Sequence, residues 1–311
     1  MNTIKFAPYN DFITEQHNVE TATVDTHTVF GFTGKFYNPC NFNIFIQNKC
    51  QNDCDFCINK LNDRTDIPDE LYFTKLEEIL KGMKDVHLEA TITGGEPTLN
   101  PARMVETIRL LRKYGVNERT VSTTGIGLMK LYENKPVFQH LIDNDYVHNI
   151  SISRMDISDT ENANVLKGTN ITNEKFSNIA WYAKVNNVQL RTSTNIISNH
   201  IDSLEKILQF VDFQHTNNID SCLFREIIGN NSISIAPFQE QIRNNKDFVF
   251  DKVINGIFYN IIVYRYISKT TNQEYIVKCY STNNVDKSII GTLSYNQGKL
   301  RTGFNGETIY D

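Results

Sequence analysis

The amino-acid sequence predicts an α/β fold: six strand–helix units forming an incomplete barrel or a strongly curved parallel sheet, followed by an antiparallel β-rich extension. Three observations carry this. Between residues 40 and 228, short strand-like runs alternate with amphipathic helical stretches, which implies parallel strands joined by helical crossovers. After about residue 230 the pattern changes to short β-like runs separated by turn-forming residues. At 311 residues, 40% hydrophobic and 22% charged, the chain is long enough for one large or two small domains with a sizeable core.

Taken in order, residues 1–39 form an N-terminal extension, polar and aromatic, in which Thr21–Phe32 has the alternation of strands. Ile44-Phe-Ile46 is a short buried-strand run that leads into a cysteine loop. Thr74 and Glu77 make a capping box, so a helix is expected to start there, with Leu76, Ile79, Leu80 and Met83 as its apolar stripe. Leu88, Ala90 and Ile92 alternate as a strand that ends in Gly94-Gly95-Glu96-Pro97. Asn100-Pro101 reads as a helix N-cap followed by proline in the first turn, and Gly115 as the stop. Arg119–Thr123 is strand-like, and a helical stretch is expected from there to about Ile142. Asn149–Ser153 is the fourth strand, followed by a helix marked by Phe176, Ile179, Ala180 and Ala183. Val188–Thr194, the helix marked by Leu204, Ile207, Leu208 and Val211, and Ser221–Ile227 complete the six units. The tail, 229–311, carries β-like runs at Phe258–Ser268, Tyr275–Tyr280, Ile289–Ser294 and Lys299–Phe304.

Composition excludes several classes. A net charge of −5 offers no electrostatic basis for nucleic-acid or anionic-membrane binding. No apolar run approaches the ~18–20 residues that span a bilayer, and the start Met1-Asn-Thr-Ile-Lys-Phe lacks a signal-peptide pattern. The expectation is a cytoplasmic protein whose six cysteines are reduced rather than paired.

Cys50, Cys54 and Cys57 form a Cys-x3-Cys-x2-Cys run. Three thiolates in one short loop suit a soft metal centre: iron–sulfur, zinc or cuprous copper. A structural zinc site needs four ligands, and no fourth stands at fingerlike spacing. A cubane held by three cysteines instead leaves one iron open. Taken alone, the cysteine run is also compatible with a zinc or redox loop, and Gly94–Pro97 alone with a plain strand–helix connection.

Together, Cys50-x3-Cys54-x2-Cys57, with Phe56 before the last cysteine, and Gly94-Gly95-Glu96-Pro97 at the end of the next strand resemble the two motifs of the radical S-adenosylmethionine (SAM) superfamily. The resemblance covers residues 40–228 and implies a partial (β/α)6 TIM-like barrel. It also implies a 4Fe–4S cluster on Cys50, Cys54 and Cys57, with the open iron chelating SAM. One-electron reduction of that complex would release a 5′-deoxyadenosyl radical that abstracts hydrogen from the substrate. Phe56 is expected to shield the cluster, and Gly94, Gly95, Glu96 and Pro97 to form the SAM-binding turn, in which Gly94 and Gly95 let the backbone approach the methionyl amino group closely and Glu96 and Pro97 hold the turn. Within the superfamily the likeness is to the branch of the molybdopterin-precursor GTP cyclase and related peptide- or natural-product-modifying enzymes. By strand position, Thr123, Ser153 and Arg191 match SAM-contacting positions of that branch.

The chain departs from the cyclase in its tail. Of the cyclase's second cysteine set only Cys279 remains, and Gly303 stands where a cysteine would be expected. A second cluster cannot form in the same way, which makes GTP cyclisation an unsuitable reading. Cys222 in the sixth strand is a candidate hydrogen donor if it points into the barrel, and otherwise a small buried hydrophobe. Arg154 and Arg225, with Asp156 and Glu226, fall at strand ends, where barrels carry their chemistry, and are candidates for substrate contact or structural ion pairs. The sequence thus points to a one-cluster radical SAM enzyme acting on a small molecule or short peptide, reduced by a donor such as flavodoxin or ferredoxin. The alternatives are a nucleotide-processing relative of the cyclase and a non-catalytic iron–sulfur or zinc-binding protein.

Overall fold

The computed structural model of the protein describes residues 18–21, 23–61, 65–144, 146–219, 221–227, 236–255, 259–267, 274–282 and 288–311. The N-terminal start therefore lies outside the described residues.

The barrel strands are the second half of β3 (Phe32–Phe45), β4 (Leu88–Thr93), β5 (Glu118–Thr123), β8 (Asn149–Ser153), β9 (Gln189–Asn195) and β10 (Ser221–Arg225). They pair in parallel in that order. The crossover helices are α1 (Asp69–Gly82), α2 (Pro101–Lys113), α3 (Val137–Ile142), α4 (Asp159–Leu166), α5 (Asn173–Val185) and α6 (Leu204–Thr216). This is the partial TIM-like barrel that the alternation predicts.

Flanking strands extend the same sheet rather than forming a separate layer. β1 (Asn18–Thr21) and β2 (Thr23–Val29) precede the barrel; after it come α7 (Ala236–Arg243), β11 (Phe248–Asn255), β12 (Tyr259–Ile267), β13 (Glu274–Thr282), β14 (Ile289–Asn296), β15 (Lys299–Thr302) and β16 (Thr308–Tyr310). The tail contains the expected antiparallel pairs β11–β12, β12–β13 and β14–β15. Two of its strands nevertheless pair in parallel with the barrel, β13 with β10 and β14 with β3. β3, whose first half pairs with β2, runs on through residue 39 into the barrel, and β10 pairs with β13 across residue 229, so the sheet is continuous over both chain divisions.

Two local expectations change. α1 begins at Asp69, so Thr74 lies inside the helix. Asp69 and Glu70 occupy its first turn, where acidic side chains suit the helix dipole. Glu77 is not free to cap, because its carboxylate accepts from Lys113 and Tyr114 at 2.8 and 2.5 Å. The helical stretch expected up to Ile142 is mostly loop. Glu133 and Asn134 take positive φ (47° and 63°) and turn the two-residue strands β6 (Leu131–Tyr132) and β7 (Lys135–Pro136) into a tight hairpin. Only α3 remains helical there. By contrast, α2 starts as read: the Asn100 side chain accepts from Arg103 N–H at 3.2 Å.

The strands divide the barrel into two chemically distinct faces. Ile44, Ile92, Val121, Ile150, Ile152 and Leu190 lie at zero exposure in the main core beneath the helices. The alternate residues, including Thr91, Thr93, Thr120, Ser122, Asn149, Ser153, Gln189, Arg191, Ser193 and Asn195, face the other way and are half-buried. Parallel strands covered on both sides read as continuous apolar runs. Here the inner face is polar along β4, β5, β8 and β9, as the alternation in NISIS and QLRTSTN requires, and is flanked by the apolar Phe45 of β3 and Leu223 of β10.

Candidate active site

The cysteine loop leaves β3 at the C-terminal rim of the sheet and is held by backbone bonds to the turn after β4. Gly95 N–H donates to Gln47 O at 2.7 Å, Glu96 N–H to Lys49 O at 2.9 Å, and Gln47 Nε2–H to Glu96 O at 2.7 Å. The glycines are required by this junction. Gly94 has φ +129°, and a Cβ on it would stand 2.3 Å from Gln47 O; one on Gly95 would stand 2.1 Å from Lys49 O. The expected close approach is thus made to the cysteine loop's own backbone.

Glu96 anchors the junction. It is fully buried, and its carboxylate accepts from Thr98 N–H and Thr98 Oγ1 (3.1 and 2.5 Å), from Thr124 N–H and Thr124 Oγ1 (both 2.7 Å), and from the Thr123 hydroxyl. The alternation of β5 puts Thr123 with Val121 on the buried outer face, while Ser122 is on the inner one. Its hydroxyl is therefore committed to Glu96 and to the Gly125 amide at 2.8 Å, which corrects its expected place beside a cofactor.

Other elements hold the remainder of the loop. Arg103 of α2 donates to Ile46 O at 3.0 Å and Ile67 O at 2.8 Å and pairs with Asp69. Asn48 N–H donates to Asp66, and its amide reaches Asn296 Oδ1 at 3.1 Å, so the end of β14 braces the loop. The end of α4 closes the opposite side: Asp53 N–H donates to Lys167 O at 3.3 Å and Thr169 N–H to Asn52 Oδ1 at 2.8 Å.

Cys50 is exposed, Cys57 partly buried and Cys54 buried. Cys54 packs with Met155 and Leu166, and Phe56, Cys57 and Ile197 lie against that cluster, so Phe56 forms part of an apolar wall beside the thiols. Burial, followed by repulsion from Cys57 and Cys50, pushes the Cys54 thiol up to about 12. Burial likewise raises Cys50, with Glu96 and Cys57 adding to the rise and the Asn52 amide opposing it. Among the described residues, no three His, Cys, Asp or Glu side chains converge as a ligand set for one ion. Three neighbouring thiols of one loop, set beside a glycine junction, fit the donor chemistry of a three-cysteine iron–sulfur cluster.

The other expected residues divide between the two faces. Arg191 and Ser153 are half-buried on the inner face; Arg191 Nε–H lies 3.3 Å from Ser151 Oγ, and Ser153 pairs in register with Ser193. Arg225 ends β10 on the same face, half-buried. Arg154 does not reach the barrel interior. It is 0% exposed, and its guanidinium donates to Ile171 O, Ile157 O and Asp159, joining the loops on either side of α4. This makes it a structural ion pair rather than a substrate contact.

Cys222 also needs correction. With Phe224 it faces outward into a second core under α6, among Phe210, Val211 and Val277, at 4% exposure. Burial pushes its thiol up to about 12. It points away from the inner face and is the small buried hydrophobe of the two readings. Cys279 lies in the same core, and Gly303 turns at φ +66° with its N–H on Thr292 O.

Sequence reasoning missed Gln51, Thr124, Gly168 and His200. Gln51 Nε2–H donates to Thr124 Oγ1 at 2.9 Å, linking the cysteine loop to the Glu96 network. His200 Nδ1 stands 3.6 Å from Asp156 Oδ2 on the rim between the β8 and β9 loops. These partners are far apart in sequence and carry no short-range signal.

Residues 44–213 match the family model of the radical SAM superfamily. No curated protein matches the chain. Among solved structures, Streptococcus suis SuiB bound to precursor peptide SuiA matches at a TM-score of 0.52 and 19% identity, over 66% of this chain and 45% of that one. SuiB bound to S-adenosylmethionine matches at 0.51 and 20%, over 67% and 47%. The chain thus spans about half the length of these structures, and at that identity the likeness concerns the fold. No helix among the described residues is long and apolar enough to cross a membrane.

Proposed function

The chain belongs to the radical SAM superfamily, and on that premise we propose that it takes hydrogen from a short peptide or small polar metabolite, using SAM and a single 4Fe–4S cluster. The observation that carries this reading is the junction at the rim: a three-cysteine loop locked to the Gly94–Pro97 turn, beside a polar inner face. When bound, the cluster and SAM supply a one-electron reductive cleavage that yields the 5′-deoxyadenosyl radical. Cys50, Cys54 and Cys57 would hold the cluster, and Phe56 with Met155 would keep water from it. The backbone of Gly94–Pro97 would receive the amino-acid end of SAM, with Glu96 and Thr123 fixing the turn. Ser153 and Arg191, polar and half-buried on the inner wall, would bind its carboxylate.

For the substrate, Arg225 and the Asp156–His200 pair offer polar contacts along the rim. An inner face of hydroxyls, amides and arginine favours a polar substrate over a hydrocarbon, because each of those groups would lose its water on burial. A peptide fits this lining, and SuiB, whose fold is similar, was solved with a precursor peptide. The finer likeness to the cyclase branch gains no specific support from these structures. A small flavodoxin- or ferredoxin-type donor would deliver the electron on the side where Cys50 is exposed.

Anaerobic reconstitution tests the reading. About four irons and four sulfides per chain, with 5′-deoxyadenosine formed on adding dithionite and SAM, are expected. Zinc uptake, or an assembled cluster without SAM cleavage, overturns it. Transfer of deuterium from a labelled candidate peptide into 5′-deoxyadenosine then identifies the substrate.

A further inference from the structure

We infer that Asn52 is a positioning residue that sets the reduction potential of the cluster through the Cys50 sulfur. Asn52 N–H lies 3.4 Å from Cys50 Sγ and points its hydrogen at it. Amide hydrogen bonds to cluster sulfurs stabilise the more negative, reduced state and so raise its potential. An amide in an exposed loop has this effect only if the loop is held in one orientation, and Cys50 is the exposed member of the three.

The holding is done by the end of α4. Asn52 Oδ1 accepts from Thr169 N–H at 2.8 Å, Asp53 N–H donates to Lys167 O at 3.3 Å, and Gln51 Nε2–H donates to Thr169 O at 3.0 Å. Thus Gln51, Asn52 and Asp53 are tied to Lys167 and Thr169, the residues on either side of Gly168. That segment has an unusual backbone. Lys167 takes φ +50°, ending the helix in the left-handed region. Gly168 then passes so close that a Cβ on it would stand 2.2 Å from Asn52 Oδ1 and 2.8 Å from Gln51 O. Glycine at 168 and asparagine at 52 are therefore two halves of one latch. Asn52 is a spacer residue of the cysteine run and Gly168 lies outside both motifs, so the latch connects the cluster loop to the segment between α4 and α5.

The inference rests on Cys50 being a cluster ligand. It is tested by an EPR-monitored redox titration of the reconstituted full-length wild type and of Asn52→Ala, with iron and sulfide content and melting temperature measured in parallel. A midpoint potential shifted to more negative values at wild-type iron content is expected. Asn52→Ala holding a full cluster at the wild-type potential overturns the latch, including when its melting temperature falls, because a merely structural residue would do that. If Asn52→Ala assembles no cluster, Gly168→Ala decides, since it keeps Asn52 but presses a methyl group on its carbonyl. The same negative shift is expected, and an unshifted potential overturns the inference. A wild-type protein without an iron–sulfur cluster instead overturns the functional reading itself, so the two failures are distinct.

Discussion

Replacing Glu96 by Gln tests the anchor on which the site geometry depends. The wild-type carboxylate accepts from five donors, two of them backbone N–H groups: Thr98 N on one oxygen and Thr124 N on the other. The threonine hydroxyls can rotate to accept from an amide NH2, but a backbone N–H cannot. Whichever way the glutamine is turned, one buried N–H therefore faces another donor. Leaving such a group unsatisfied costs about 1–3 kcal/mol, and weakening the charge-assisted bonds that remain adds about 1 kcal/mol. A destabilisation of about 2–4 kcal/mol follows. At roughly 2 °C per kcal/mol for a chain of this size, the melting temperature should fall by about 4–8 °C, read by calorimetry on the unloaded protein. Glu96→Ala, which strands every donor and opens a void, should be worse. Because Thr124 also holds Gln51, SAM cleavage by reconstituted Glu96→Gln should fall as well. A melting temperature within about 1 °C of wild type would show that the Glu96 network does not hold the junction and would refute the reasoning.

Further outcomes follow from the same geometry. Gly95→Ala places a methyl group against Lys49 O and should abolish 5′-deoxyadenosine formation while far-ultraviolet circular dichroism stays native; retained SAM cleavage would contradict the junction. Cys222→Ala should leave SAM cleavage and any product's hydrogen source unchanged and cost about 1–2 kcal/mol in denaturant unfolding, since the thiol lies in the outer core; loss of activity at native stability would restore it as a donor. Stability should decline above pH 9. Burial raises Cys40, Cys222 and Cys279 from 9.0 to about 12 in the folded protein, so their stabilising contribution is complete below the unfolded value and is lost as pH rises, because only the unfolded chain ionises them. At pH 10 each costs on the order of 1 kcal/mol, and Cys222→Ala should flatten the decline measured by urea unfolding at pH 8 and 10.

The alternation of barrel strands and helices was legible along the chain because it depends on local periodicity. Asn149–Ser153 and Val188–Thr194 could be read as strands from their place in the strand–helix alternation alone. The cysteine loop and the Gly94–Pro97 turn were legible for the same reason, since each motif is a short run whose spacing carries its chemistry. Helix α1 and the 124–142 stretch were misread where a distant partner or a tight hairpin outweighed local propensity. Thr74 and Glu77 look like a cap until Lys113 and Tyr114 of α2 claim the glutamate.

What the sequence by itself determined, then, is the family, through its two motifs, and the alternation of parallel barrel strands with helices. Only the tertiary structure decided which way the remaining candidates face. A one-residue step along a strand reverses a side chain, and this separates Arg191 on the inner face from Cys222 and Thr123 on the outer. Burial turned Arg154 from a rim charge into a loop brace. The meeting of Asn52 with Gly168, and of Glu96 with Thr123 and Thr124, depends on residues brought together by parallel crossovers. No local pattern records such contacts.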